Sequence, residues 1–263
     1  MIVKKLFWTI AILVCCHKLQ AQDVFAVIKD PDGFVNVHEG DLQSKVTGKI
    51  LKYQPFDSFE GDKEYQKHTG MAYVEYDQFI ENTKDHVFYN KGHDSLPPTS
   101  GYIHKSRIYK LDNMPKLKLI SLKANKAVYG NSFVTVEIEI ANFDLKKHVV
   151  KDTTGKLLID KTSCDVATID GIIPWGSDMF IPKKEIVSIK LMCSDTSIVL
   201  PQASIKNLYD PNIESDYTSI HIGSDNEIYI WMKNGDAAGS YNVIWVLVDK
   251  KLRYRFTRLS YFV

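Results

Sequence analysis

Net charge is nearly absent from this chain: 33 lysines and arginines stand against 32 aspartates and glutamates, a formal +1 over 263 residues. Such a balance lacks the basic field that gathers nucleic acid or anionic lipid. Cysteine is scarce, at four, which excludes a small fold held together by many disulfides. After the first 20 residues no apolar run approaches the roughly 18 residues of a membrane span, so none is expected in the mature chain. Glycine-rich phosphate loops are missing, and the histidines are scattered without an i, i+4 pair or a zinc spacing. Amphipathic helical periodicity is also nearly absent. What remains is 44% hydrophobic and 11% aromatic, enough for one large core or two smaller ones.

Residues 1–21 read as a secretory signal. Lys4 and Lys5 supply a positive start, Leu6 to Cys16 an apolar stretch too short to span a bilayer comfortably, and Ala21 a small residue at the cleavage point. Leu13-Val14-Cys15-Cys16 offers a second reading, a lipidation site, although neither cysteine follows a small residue. Removal of the segment takes away Lys4, Lys5 and Lys18 and no acid, leaving 30 basic against 32 acidic residues. The expected location is periplasmic or extracellular. In that setting the two remaining cysteines, Cys164 and Cys193, are expected to pair as a disulfide. Two free thiols or a nucleophilic cysteine are the alternatives.

The rest of the chain alternates with period two. Val24–Ile28, Phe34–Val37, Ala72–Phe79, Tyr102–Tyr109, Phe133–Ile140, Ile186–Met192, Glu227–Met232 and Asn242–Val248 have strand character. Turn dipeptides such as Asp32-Gly33, Asp170-Gly171 and Asn234-Gly235 separate them. An all-β fold follows. A polar break with a proline at Asp112-Asn113-Met114-Pro115 divides it into residues 22–111 and 116–263.

The first part opens with Asp32-Gly33-Phe34-Val35-Asn36-Val37-His38-Glu39-Gly40 and Ser44-Lys45-Val46-Thr47-Gly48-Lys49-Ile50, and closes with Gly101-Tyr102-Ile103-His104. Those segments resemble the opening and closing strands of a bacterial SH3-like (SH3b) domain, over residues 24–110. The resemblance implies a small barrel, and a ligand among peptidoglycan, its cross-linking peptides or other envelope material. His38 stands where the family pattern has arginine. The middle, Asp57 to Pro98, is longer than usual and rich in aromatics. Tyr65, Tyr73 and Tyr89 are the candidate ligand-binding residues there, since a tyrosine pairs an apolar ring with a hydrogen-bonding tip. Filling the barrel or a seam is the other role open to each.

The second part is expected to be a β-sandwich-like domain. Its Asp-Gly-x-x-Pro-Trp-Gly segment (170–176) and Gly-Asp-x-Ala-Gly-x-Tyr segment (235–241) resemble those of uncharacterised exported bacterial β proteins. Asp165, Asp170, Asp178, Asp236 and Asn234 admit three readings: hairpin turns, an oxygen-rich Ca²⁺ site, or a glycosidase pair. At the C-terminus, Lys251, Arg253 and Arg255 alternate with Leu252, Tyr254 and Phe256, which suggests a solvated edge strand. The sequence therefore points to a non-enzymatic binding protein of the envelope, with no catalytic set, metal site or cofactor assigned. A cell-wall hydrolase with a catalytic second domain, or an inhibitor or immunity-type protein, are the alternatives.

Overall fold

The computed structural model describes residues 24–59, 67–82, 87–90, 98–160, 165–194, 196–235 and 239–260. The signal-like segment 1–21, Tyr65, Cys164 and Asp236 lie outside the described residues. Regular structure is almost entirely β, as the alternation requires. The first half carries β1 (Phe25–Ile28), β2 (Phe34–His38), β3 (Val46–Leu51), β4 (Phe56–Ser58), β5 (Met71–Tyr76), β6 (Phe79–Asn82), β7 (Val87–Asn90), β8 (Thr99–His104) and β9 (Ile108–Lys110). The second carries β10 (Lys118–Lys123), β11 (Lys126–Gly130), β12 (Val134–Asn142), β13 (Val150–Asp152), β14 (Val166–Ile169) and β15 (Lys184–Cys193). It continues with β16 (Thr196–Val199), one helical turn at Gln202–Ile205, β17 (Thr218–Ile222), β18 (Ile228–Asn234), β19 (Tyr241–Val248) and β20 (Lys251–Leu259).

Seven strands form the N-terminal sheet in the order β3-β2-β8-β5-β4-β1-β9. It curls strongly: the Tyr76 hydroxyl on β5 reaches Gly48 on β3, three strands away. The curl encloses Ile28, Val37, Ile50, Phe56, Val74 and Ile103. The sheet nevertheless ends on β3 and β9, and no closed barrel forms among the described residues, so the expected barrel is instead an open, curled sheet. The single strand expected over Tyr102–Tyr109 is broken by a 3₁₀ turn at Lys105–Arg107. That turn redirects the chain so that β9 pairs with β1.

The second half is a sandwich. One face is the sheet β10-β11-β12-β15-β16, the other the sheet β17-β18-β19-β20-β7-β6. Ala127, Tyr129, Val136, Ile138, Ile189 and Leu191 of the first meet Ile230, Met232, Val243 and Trp245 of the second in one core. The second sheet takes β6 and β7 from the N-terminal half, with β7 running parallel to β20. It is buried on both sides, because Tyr229, Trp231, Ile244, Val246, Tyr254 and Phe256 face Phe25, Val27, Leu111 and Met114. Two-sided burial explains why β18 and β19 are almost uninterrupted apolar runs. The polar exception on β19, Asn242, accepts a hydrogen bond from Trp231 Nε1 at 2.9 Å.

The C-terminal strand is therefore not the solvated edge that its alternating charges suggest. β20 lies between β19 and β7, and Arg255 is buried. Its guanidinium donates to the Lys206 carbonyl at 3.2 Å and Asn207 Oδ1 at 2.9 Å, and lies 5.8 Å from the centre of the Tyr89 ring. Burial lowers its pKa to about 10. On the opposite face Arg258 sits in the seam between the halves. It pairs with Asp57, with Glu75 at 3.7 Å and with Asp77 at 3.3 Å. Asn90 ties the same point by donating to Asp77 Oδ2 and the Thr257 carbonyl. Burial raises the pKa of both Glu75 and Asp77.

Two stability measurements follow from this seam. Replacing Arg258 with methionine leaves three enclosed carboxylates without their cation, so urea denaturation of Arg258→Met is expected to show a loss of about 3–5 kcal/mol. An unchanged midpoint would show that the seam does not depend on this residue. His221 is fully buried on β17, stacked 6.2 Å from the Trp231 ring and 2.8 Å from Ser219 Oγ. Desolvation, with help from Lys116, lowers its pKa to about 4 against opposing contributions from Asp112 and Leu111. A folded value below the unfolded one, near 6.5, means that stability is retained above pH 6.5 and lost as pH falls towards 4. The stability difference between wild type and His221→Gln should therefore shift by up to about 3 kcal/mol across that window, wild type losing more.

Candidate functional site

The outer face of the N-terminal sheet gathers aromatic and polar side chains. Alternation along β2, β5 and β8 sends Val37, Val74 and Ile103 into the core and leaves His38, Tyr73 and Tyr102 on the other face. Tyr73 lies opposite Tyr102 across the β5–β8 pair, and Tyr102 lies opposite His38 across β8–β2. Ring contacts run through the group: Phe59 to Tyr73 at 5.7 Å, Tyr73 to Tyr102 at 5.5 Å, and Tyr102 to His68 at 4.8 Å. Three of these rings are half-buried, and Tyr102 is nearly covered.

The row ends at His38, where a groove of about 510 Å³ begins. Its walls are Phe34, Val35, Asn36 and His38 on one side and His104, Ser106 and Arg107 on the other, with Asp30, Asp32 and Leu42 at the ends. The groove exists because β2 and β8 pair only at His38–Tyr102 and then separate. At the pairing point Gly101 is needed: a Cβ there would lie 2.5 Å from Val37 Cγ1 and 2.7 Å from the His38 carbonyl oxygen. Past it, the 3₁₀ turn carries Ser106 and Arg107 away from β2. Arg107 is held by Asp30 at 2.8 Å, and Lys29 N–H donates to its carbonyl, so the far wall is fixed. His104 is oriented by Ser106, whose N–H donates to Nδ1 at 3.3 Å and whose Oγ lies 2.7 Å away.

A second polar convergence lies in the sandwich. His148 stacks on Phe143 at 4.5 Å, with Nδ1 2.8 Å from Asp170 Oδ2 and Nε2 3.2 Å from Glu185 Oε2. It borders a cavity of about 400 Å³ together with Lys206 and Tyr209. Burial raises the Asp170 pKa, but the Val149 N–H and His148 outweigh it and hold the carboxyl below its usual value. His148 thus joins the β12–β13 connection, the Asp170 turn and β15 through its two ring nitrogens.

The sequence-predicted residues divide among these places. Tyr73 is in the aromatic row. Tyr89 is in β7 beside Arg255, on the central sheet and away from the groove. Cys193 ends β15 as a half-buried free thiol. Asp165, Asp170 and Asp178 have positive φ, as turn residues do, and Asp170-Gly171 forms a tight hairpin between Ile169 and Ile172. The two motif segments of the second half do meet, since Gly239 packs against the backbone of Asp178 and the Trp175 ring lies 5.9 Å from Tyr241. No cluster of three or more His, Cys, Asp or Glu able to hold a metal occurs among the described residues. Sequence reasoning missed His148 and the groove, whose parts come from β2 and a turn some 70 positions later; only the Gly-Tyr-Ile step at 101–103 hinted at the second.

Removing the imidazole leaves Asp170 and Glu185 facing each other across the space it filled. His148→Phe, which keeps a ring on Phe143, is expected to lose about 1–3 kcal/mol. Faster amide exchange at Val150 and Ile169 should accompany it, and unchanged exchange there would contradict the cross-link. Comparison of the chain with protein-family models, curated proteins and solved structures finds no match.

Proposed function

We propose that the protein is an exported, non-enzymatic binding protein of the cell envelope that contacts peptidoglycan, a glycan or an envelope protein through the outer face of its N-terminal sheet. The observation that carries this reading is the continuity of the aromatic row with the groove at His38. Aromatic faces with hydroxyl tips suit sugar rings and peptide planes alike, and the adjoining groove adds polar walls that fix orientation. The signal-like N-terminus and the likeness of the β2 and β8 segments to SH3-like domains support the same compartment and ligand class.

The test is retention of the full mature chain on purified cell-wall sacculi. Tyr73→Ala is expected to weaken retention by about 1–3 kcal/mol while the melting transition stays close to wild type. Wild-type chain that fails to bind sacculi and isolated envelope proteins would overturn the reading, and release of soluble fragments from the sacculi would replace it with hydrolysis.

A further inference from the structure

The groove beside β2 lies along the strand's edge, not over one of its faces. Phe34, Val35 and Asn36 are consecutive and their side chains alternate between the two faces of the sheet, yet all three line it. Ladder parity identifies the groups on that edge. β2 pairs with β3 as Phe34–Leu51, Val35–Ile50, Asn36–Lys49 and Val37–Gly48. Lys52 N–H donates to the Gly33 carbonyl at 2.8 Å, which makes Gly33–Lys52 a hydrogen-bonded pair. In an antiparallel ladder such pairs alternate, so Val35 and Val37 also direct their N–H and C=O towards β3. Two further contacts agree. Leu51 N–H turns away from β2 to donate to Gln54 Oε1 at 3.1 Å, and the Val37 carbonyl, on the β3 side, accepts from Thr47 Oγ1 at 3.3 Å. The main-chain groups of Phe34 and Asn36 therefore point the other way, into the groove where β8 has already diverged.

We propose that this groove takes an extended peptide, which adds a strand to the free edge of β2 and places a primary amine against Asp32. The inference rests on the binding role proposed above and names the ligand chemistry of that site. An edge of alternating N–H and C=O groups is complementary to another extended backbone and to little else. The space, about 510 Å³, is sized for a short peptide segment. Charge sets its polarity. Asp30 is neutralised by Arg107, whereas Asp32, exposed at the mouth, forms no ion pair among the described residues. One carboxylate at one end of a strand-shaped slot selects a cationic amine at that position.

The test uses the full mature chain and the peptide acetyl-Val-Ala-Val-Ala-Lys-amide. Hydrogen exchange followed by NMR should show peptide-dependent protection of the Phe34 and Asn36 amides, with Val35 and Val37 protected already and unchanged. Two N-methylated versions of the peptide, blocked at odd or at even positions, should differ at least tenfold in affinity, because only one set of N–H groups faces β2. Norleucine in place of the lysine, or Asp32→Asn, should weaken binding by a similar factor. Asn36→Pro removes an N–H that the β3 ladder does not use, so it should fold and fail to bind. Equal affinity for the two methylated peptides, protection at Val35 instead of Asn36, or peptide-independent self-association through β2 would each overturn the proposal. Retention on sacculi with no peptide binding would overturn it while leaving the general binding role standing.

Discussion

The parallel pairing of β7 with β20 is the contact on which the rest of the molecule depends. It puts a strand from the N-terminal half inside the C-terminal sheet, whose central strands β18, β19 and β20 are packed on both faces. Strands buried on both sides gain apolar area twice over, at about 25 cal/mol per Å² on each face. The cost is that the polar groups on these strands must find partners without solvent. Arg255 and Arg258 are three positions apart on β20 and so face opposite ways. One is met by a carbonyl, an amide oxygen and a tyrosine ring, the other by three carboxylates. A buried and a largely enclosed cation on a single strand are tolerable because each guanidinium is met by oxygen acceptors.

That seam also fixes the N-terminal sheet. β1 is shared between cores, with Phe25 and Val27 packed on Trp231 and Phe256 and with Ala26 and Ile28 turned into the curl. β4 and β5 are pinned through Asp57, Glu75 and Asp77. β3 is tied at its end as well, where Gln54 links the Leu51 N–H to the Asp77 carbonyl and Lys52 and Tyr53 meet Asp225 at 2.7 and 3.1 Å, so the curl opens only between β2 and β8. The groove is thus a gap between two tethered segments, which keeps its walls fixed while leaving the main chain of β2 accessible.

Much of this fold was legible in the sequence, and the reasons differ by element. β1, β2, β12, β15, β18 and β19 appear where alternation or apolar runs place them, because local pattern reports burial directly. Asp170-Gly171 turns where it should because both residues accept positive φ. The Asp249-Lys250 hairpin carries no such signal, because a lysine stands where Asp170 is followed by glycine, although both of its residues adopt positive φ. β20 was misplaced for a deeper reason. Its charges are those of a surface strand, and only a partner some 160 positions earlier in the chain, β7, removes it from solvent. The closed barrel failed similarly: the opening and closing segments are present, but the 3₁₀ turn at Lys105–Arg107 sends β9 to β1 and leaves β2 to part from β8. His148 stood alone in the sequence because its partners, Asp170 and Glu185, lie 22 and 37 positions on.

Strand edges elsewhere show why the gap beside β2 is unusual. The outer edge of β17 is covered by the chain at Pro115–Leu117, which bonds to Ile220 and Ile222. β10 has lysines at both ends and a bulge between Leu119 and Ser121, two devices that discourage a further strand. β16 is only four residues long. Among the described residues β2 has neither a covering segment nor a bulge along Phe34–Asn36, and it is an interior strand whose neighbour departs midway. An edge created by divergence is recessed, so a neighbouring sheet cannot reach it but a single extended chain can. Recess thus gives the molecule a docking edge without the aggregation hazard that an outer edge of the same composition would carry.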